Sequence, residues 1–165
     1  MFVVSDLKKD LFKRIGAGPF FFVTLTETAD HPEPLTGVIH EDFIDQVYFF
    51  VAKTNRCARA GPATATFTSR GHDYFASFKG AIIIDNNPDK IHKLWNKTLE
   101  AFFPNGERDP TLTLLRFDID EAELWEADVS MKTKVKIAFG MGQVKKSELG
   151  THAVVTTTNV HNNPV

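Results

Sequence analysis

The densest run of chemistry-bearing side chains is Lys53-Thr54-Asn55-Arg56-Cys57-Ala58-Arg59. It sets cations, a hydroxyl and an amide directly after an apolar run, at a helix start predicted for Asn55–Ala60 with Asn55 as its cap. The free N–H groups of a helix N-terminus beside arginine bind phosphate well. The same residues also read as a solvated basic loop. Cys57 lies inside the run, where neighbouring cations would favour a thiolate. A lone cysteine is otherwise an inert small residue, and with no histidine near it in sequence it is not assigned as a nucleophile. Trp95 and Trp125 could stack on a planar ligand. Trp95 falls on the apolar face of a helix and is assigned to the core. For Trp125, in the strand-like stretch Glu123-Leu124-Trp125, both readings stay open.

Other chemistries are excluded. The histidines His31, His40, His72, His92, His152 and His161 form no His-x-His or His-x-x-x-His pair, and one cysteine rules out zinc-finger spacings, so no metal site is expected. Neither glycine-rich nucleotide motif is present. Lys+Arg is 19 against Asp+Glu 21, a net charge of −2 that argues against a nucleic-acid binder. No apolar run approaches the roughly 20 residues that span a bilayer. The opening residues turn charged at Asp6, unlike a secretory signal. A single cysteine fits a reducing compartment, and a cytoplasmic protein is expected.

These residues must be positioned by the rest of the chain. Its 165 residues are 42% hydrophobic and 24% charged, enough for one self-sufficient core. Ser5–Ile15 reads as a helix with Ser5 as cap and a left-handed stop at Gly16 and Gly18 before Pro19. Strands are predicted at Phe20–Glu27, Leu35–His40, Gln46–Ala52, Ala63–Ser69 and Tyr74–Ile84. Gly80, inside the last of these, marks a bulge or a close backbone approach. Asn87-Pro88-Asp89 opens a second helix, which carries Ile91, Leu94, Trp95, Leu99, Phe102 and Phe103 and ends at Pro104-Asn105-Gly106. Leu112–Asp118, Glu121–Asp128 and Lys132–Phe139 are further strand candidates. The chain therefore reads as one mainly β domain, 1–143, whose antiparallel strands close into a small barrel, followed by a polar tail, 144–165. Fifteen Phe against two Tyr is an unusual balance, and some of that aromatic surface suits a subunit interface.

One segment is distinctive: Leu94-Trp95-Asn96, Ala101-Phe102-Phe103-Pro104-Asn105-Gly106, Asp109-Pro110, Leu114-Leu115-Arg116 and Ala122-Glu123-Leu124-Trp125. It resembles the general stress protein branch of the pyridoxamine 5'-phosphate oxidase-like family over roughly Leu7 to Asp128. The resemblance implies a six-stranded antiparallel split barrel, Greek-key-like, with helices at the N-terminus and after the fifth strand. It implies a homodimer that binds FMN, or FAD, at the subunit interface. In an enzyme, the flavin would carry oxidoreductase chemistry. A non-catalytic flavin or small-ligand binding protein is the alternative, and a true pyridoxamine 5'-phosphate oxidase is not expected.

Carried over by position, Leu35-Thr36-Gly37-Val38 falls where the family usually has Arg-Pro-Met, so that the backbone of Thr36, Gly37 and Val38 would face the flavin ring. Lys53, Asn55 and Arg56 would form the phosphate anchor, and Val51 and Ala52 before them would also contact the cofactor. Phe75 would line the ring, and Trp125 would stack on it from the partner chain. The chain departs from the family twice. The motif's arginine is replaced by Leu35 or Thr36, and Cys57 stands where a phosphate-binding lysine is usual. Losing one charge-assisted bond costs about 1.5–3 kcal/mol, so phosphate affinity falls unless Lys53, Arg56 or Arg59 compensates.

Overall fold

The computed structural model describes residues 4–43, 45–126 and 151–156. The elements are α1 (Val4–Ala17), β1 (Phe20–Leu25), β2 (Glu33–Val38), β3 (Gln46–Ala52), β4 (Gly61–Thr68), β5 (Tyr74–Ile84), α2 (Pro88–Leu94), α3 (Lys97–Phe102), β6 (Leu112–Glu126) and β7 (Thr151–Thr156). All strand pairs are antiparallel, in the order β3-β2-β1-β4-β5-β6-β7. The additional β3–β6 pairing closes the first six strands into a barrel. The spatial run β3-β2-β1-β4 is a Greek key, in which the fourth strand returns beside the first. The expected mainly β six-stranded barrel is what forms.

Alternation fills its interior. Phe21, Val23 and Leu25 of β1 point inward, as do Val47, Phe49 and Val51 of β3 and Ala63, Ala65 and Phe67 of β4. The Phe21 ring meets Phe49 edge-on at 5.6 Å and packs against Phe67 and Phe78. Gly37 makes room for this cluster, since a Cβ there would sit 2.6 Å from Phe21 Cε2 and 2.9 Å from Val47 Cγ1. A small barrel filled in this way is a packed core with no central channel. Leu11 and Ile15 of α1 join the same core. Arg14 ties the helix to the sheet through Asp10, Asp73 and Glu126, at 2.9, 3.5 and 2.7 Å, and stands 4.5 Å over the Tyr74 ring.

A second apolar cluster covers the outside of the β3–β6 seam. Tyr48, Leu112 and Leu114 meet Ile91, Leu94 and Phe103 there, flanked by Phe50 and Trp95. Trp95 is therefore a packing residue, edge-on to Phe50 at 5.8 Å. Beside it, Asp85 accepts hydrogen bonds from Lys90 Nζ and from Arg116 Nη1, the latter at 3.0 Å.

Several expectations are corrected. The helix begins at Val4, so Ser5 lies in its first turn, and it runs through Gly16. Neither Gly16 nor Gly18 adopts a positive φ, so no left-handed stop exists and Pro19 does the terminating. The predicted second helix is two. Asn87 caps α2, and the Asn96 side chain accepts from Thr98 N and Leu99 N to cap α3. A side chain that satisfies free N–H groups restarts a helix after a break at Trp95. The strands expected at Leu112–Asp118 and Glu121–Asp128 are one strand, β6, over its described length. Its register with β5 slips at Lys79/Gly80: Gly80 faces Ile119 and Lys79 faces Glu121, which leaves Asp120 extra. The slip flips facing, so Phe117 and Ile119 before it and Ala122 and Leu124 after it all point inward. The bulge expected at Gly80 is thus present, with a close approach as well. Thr151–Thr156, inside the segment read as a tail, pairs with β6 as β7. The candidate strand Lys132–Phe139 lies outside the described residues.

Candidate functional site

The barrel is split between β2 and β3. Only Gly37↔Phe49 and Val38↔Tyr48 pair across this joint. Extending that register would set Leu35 level with Val51 and Glu33 level with Lys53, but β2 there pairs only with β1 (Val23↔Glu33 to Phe20↔Thr36). β3 stays paired with β6 on its other edge, Val51↔Thr113 and Ala52↔Leu112, while its edge toward β2 has no partner there. A gap results, with β2 on one side and the loop after β3 on the other.

That loop is not a helix, contrary to expectation. Lys53 N donates to Thr111 O at 2.8 Å, Asn55 N to Ala52 O at 2.9 Å and Ala58 N to Asn55 O at 2.9 Å, a sequence of turns. Asn55 Oδ1 accepts from Cys57 N at 2.8 Å, an Asx turn. No helix N-terminus is therefore available to a phosphate in this loop. Cys57 is buried, its thiol 3.8 Å from the Val23 carbonyl, and burial pushes its pKa up. The thiolate alternative falls away.

The anchor residues are brought together, with a partner that the sequence reading missed. Glu33 Oε2 lies 2.8 Å from Arg56 Nε, and Glu33 Oε1 accepts from Asn55 Nδ2 at 3.2 Å. Arg56 Nη1 donates to the His31 carbonyl at 3.2 Å. Among the described residues, Lys53 and Arg59 are exposed and form no ion pair. Val51 is buried in the barrel and Ala52 is exposed at the strand's end. Thr36 faces outward and Gly37 inward, while Val38 packs against the second cluster. A signal for Glu33 existed in the sequence. Matching the proline of the Arg-Pro-Met pattern to Pro34 puts Glu33, of opposite charge, at the arginine's position.

Phe75 and Trp125 are not at this gap. They pair across β5 and β6 on the outer face of the sheet. Thr68 opposes Phe75, and Phe20 opposes Thr36 in β2. From Thr36 to Trp125 is four strand spacings, roughly 19 Å along the sheet. Phe20, Phe22, Phe75 and Trp125 are 69%, 57%, 40% and 38% exposed, so this wall is aromatic and open. Threonines lie between the rings: Thr66 faces Phe22, and Thr68 faces Phe75. Among the described residues no cluster of His, Cys, Asp and Glu could hold a metal ion, and no helix is long and apolar enough to cross a membrane.

The sequence matches the family model described as pyridoxamine 5'-phosphate oxidase like, over residues 6–149. The chain belongs to this family. A general stress FMN/FAD binding protein of Xanthomonas citri is similar to it at 30% identity, with a TM-score of 0.70, covering 78% of this chain and 94% of its own. Two further structures share the fold. The General Stress Protein 26 of Bacillus anthracis is 16% identical, with a TM-score of 0.59, covering 72% of this chain and 92% of its own. A Jannaschia protein provisionally described as general stress protein 26 is 18% identical, with a TM-score of 0.76, covering 93% of this chain and 99% of its own. No curated protein matches the sequence significantly.

The geometry fits one part of a flavin and not the other. A flat aromatic system matches an outer wall of exposed rings and threonines. The phosphate does not fit as expected, because Asn55 and Arg56 are already held by Glu33.

Proposed function

We propose that this family member is a flavin-binding protein that acts as a homodimer and serves as a flavin-dependent oxidoreductase in the cytoplasm. The observation that carries the reading is the open aromatic wall of Phe20, Phe22, Phe75 and Trp125 on a barrel whose interior is full. Exposed aromatics of this size are costly to leave in water, and a second copy of the chain together with a planar ligand would cover them. The roughly 19 Å between Thr36 and Trp125 has a natural account in a dimer. The gap and backbone wall of one protomer, Thr36 to Val38, would then meet Trp125 of the other. The similarity to an FMN/FAD binding protein supports a flavin as the ligand.

When bound, a flavin supplies hydride or single-electron chemistry of its own. The chain's part is to hold and shield it. Thr36 and the aromatic wall would exclude water from the ring's faces, and the Thr36 backbone, which has no β3 partner, would supply a hydrogen-bonding edge. A second reading, a non-catalytic flavin or small-ligand binder, is favoured by the pairing of Arg56 with Glu33. NAD(P)H oxidation by the flavin-loaded protein separates the two. Turnover above that of free flavin supports the enzyme, and tight binding without turnover supports the binder. Light scattering after size exclusion tests the dimer. A dimer that Phe22→Glu converts to monomer is expected, and a monomeric wild type would refute the assembly.

A further inference from the structure

Glu33 stands at the gap between β2 and the loop after β3 with both carboxylate oxygens engaged, one on Arg56 and one on Asn55. Arg56 spends its remaining described contact on the His31 carbonyl. The groups expected to grip a phosphate are therefore satisfied by an anion that the chain itself provides. We infer that Glu33 is the specificity-determining residue of this site: an internal carboxylate in place of the ligand's phosphate, which makes the site select an unphosphorylated flavin over FMN and FAD. The inference rests on the flavin reading above.

The charges argue for this directly. Glu33 and Arg56 together are neutral. A phosphate that took Arg56 would leave the Glu33 carboxylate beside a second anion in a partly buried gap, where like charges are poorly screened. The Glu33 side chain is only 22% exposed, so it has little room to turn into solvent. A polyol behaves differently. Its hydroxyls carry no charge and add to groups that are already paired, since a carboxylate oxygen of Glu33 accepts more than one hydrogen bond and the Asn55 amide keeps a second N–H. The site is thus matched to a hydroxyl-bearing chain without a charge at its end. Lys53 and Arg59, which have no ion pair among the described residues, are the cations left to a phosphate, and Lys53 enters the test.

Riboflavin, FMN and FAD are titrated into wild type, Glu33→Gln and Lys53→Ala, following flavin fluorescence at pH 7. Wild type should bind riboflavin at least about tenfold more tightly than FMN or FAD, a difference of about 1.4 kcal/mol. Glu33→Gln, which keeps the shape and removes the charge, should raise FMN affinity relative to riboflavin about tenfold or more. Lys53→Ala should lower whatever FMN affinity wild type retains. Wild type preferring FMN would overturn the inference, whether or not Lys53→Ala abolishes that preference. So would an FMN-to-riboflavin ratio that Glu33→Gln leaves unchanged. The wild-type comparison stands even where a variant fails to fold. If no flavin binds any of the proteins, the flavin reading itself falls and the inference with it, an outcome distinct from binding with the wrong preference.

Discussion

Replacing Gly80 with alanine is the sharpest test of how β5 and β6 fit together. A Cβ on Gly80 would lie 1.9 Å from the Asp118 carbonyl oxygen and 3.0 Å from its carbon. Both are backbone atoms of the neighbouring strand, so no side chain can swing aside. Relief requires β5 and β6 to separate by more than about 1 Å, since unbonded carbon and oxygen settle near 3.3 Å. The bulge at Asp120 cannot be flattened to make room, because it sets the facing of Ile119 on one side and Ala122 on the other. Overpacking costs about 1–3 kcal/mol, and a clash with fixed backbone belongs at the upper end. At about 2–4 °C per kcal/mol for a chain of this length, Gly80→Ala should lower Tm by roughly 6–12 °C. Urea unfolding should show a lower midpoint at an unchanged slope. Gly37→Ala is the comparison. Its Cβ meets Phe21 and Val47 side chains, which can adjust by rotation, so its cost should be smaller, about 1–2 kcal/mol. A Gly80→Ala Tm within about 2 °C of wild type would refute the close strand approach.

Other substitutions probe separate features. Gly16 lies inside α1 with nothing within 4 Å of where an added methyl would sit, so Gly16→Ala should stabilise by about 0.5–1 kcal/mol, read by thermal melting. Among the described residues the buried Tyr74 hydroxyl has no hydrogen-bond partner, and burial pushes its pKa up to about 12. Tyr74→Phe should therefore be neutral or up to about 1 kcal/mol more stable by urea titration at pH 7, and a loss above about 1 kcal/mol would mean that the hydroxyl has a partner. Because the folded pKa lies above the unfolded one, wild type should lose stability relative to Tyr74→Phe as pH rises from about 10 toward 12, where the phenol ionises more easily in the unfolded chain. For Asp85, burial favours the neutral acid, but hydrogen bonds from Lys90 and Arg116 outweigh it and hold the pKa below the usual carboxylate range. Its contribution is present above about pH 4 and is lost as pH falls through the folded value. Asp85→Asn should cost about 1.5–3 kcal/mol at pH 7, with the gap to wild type closing in acid-unfolding curves as pH falls below the ordinary carboxylate range.

Most barrel strands were legible because each is an aromatic or β-branched apolar run closed by turn residues. Phe20–Leu25 and Gln46–Ala52 show this most plainly. β6 was not legible as one strand, because the bulge reverses its alternation at Asp120 and a reversal looks like an ending. The break between α2 and α3 was hidden for the opposite reason. The apolar spacing continues across Trp95 and Asn96, and only the cap at Asn96 marks the restart. The anchor loop was legible as a cluster of polar and cationic groups, but not what those groups bind. Glu33 lies far upstream in what reads as a turn, and the splitting of β2 from β3 is what puts it against Arg56. The aromatic wall emerges only from register, which aligns Phe75 with Trp125 across two strands that the sequence does not pair.

The closing seam between β3 and β6 has a consequence for a chain as it is synthesised. β3 is complete at Ala52, but its partner begins at Leu112, after β4, β5, α2, which covers the seam, and α3. Until β6 has been made, a nascent barrel carries an open edge at β3 and an apolar lining bare to water. Such edges pair readily with other chains. The order of translation thus leaves a window in which the half-built protein is most in need of a chaperone, and that window closes only when the last barrel strand leaves the ribosome.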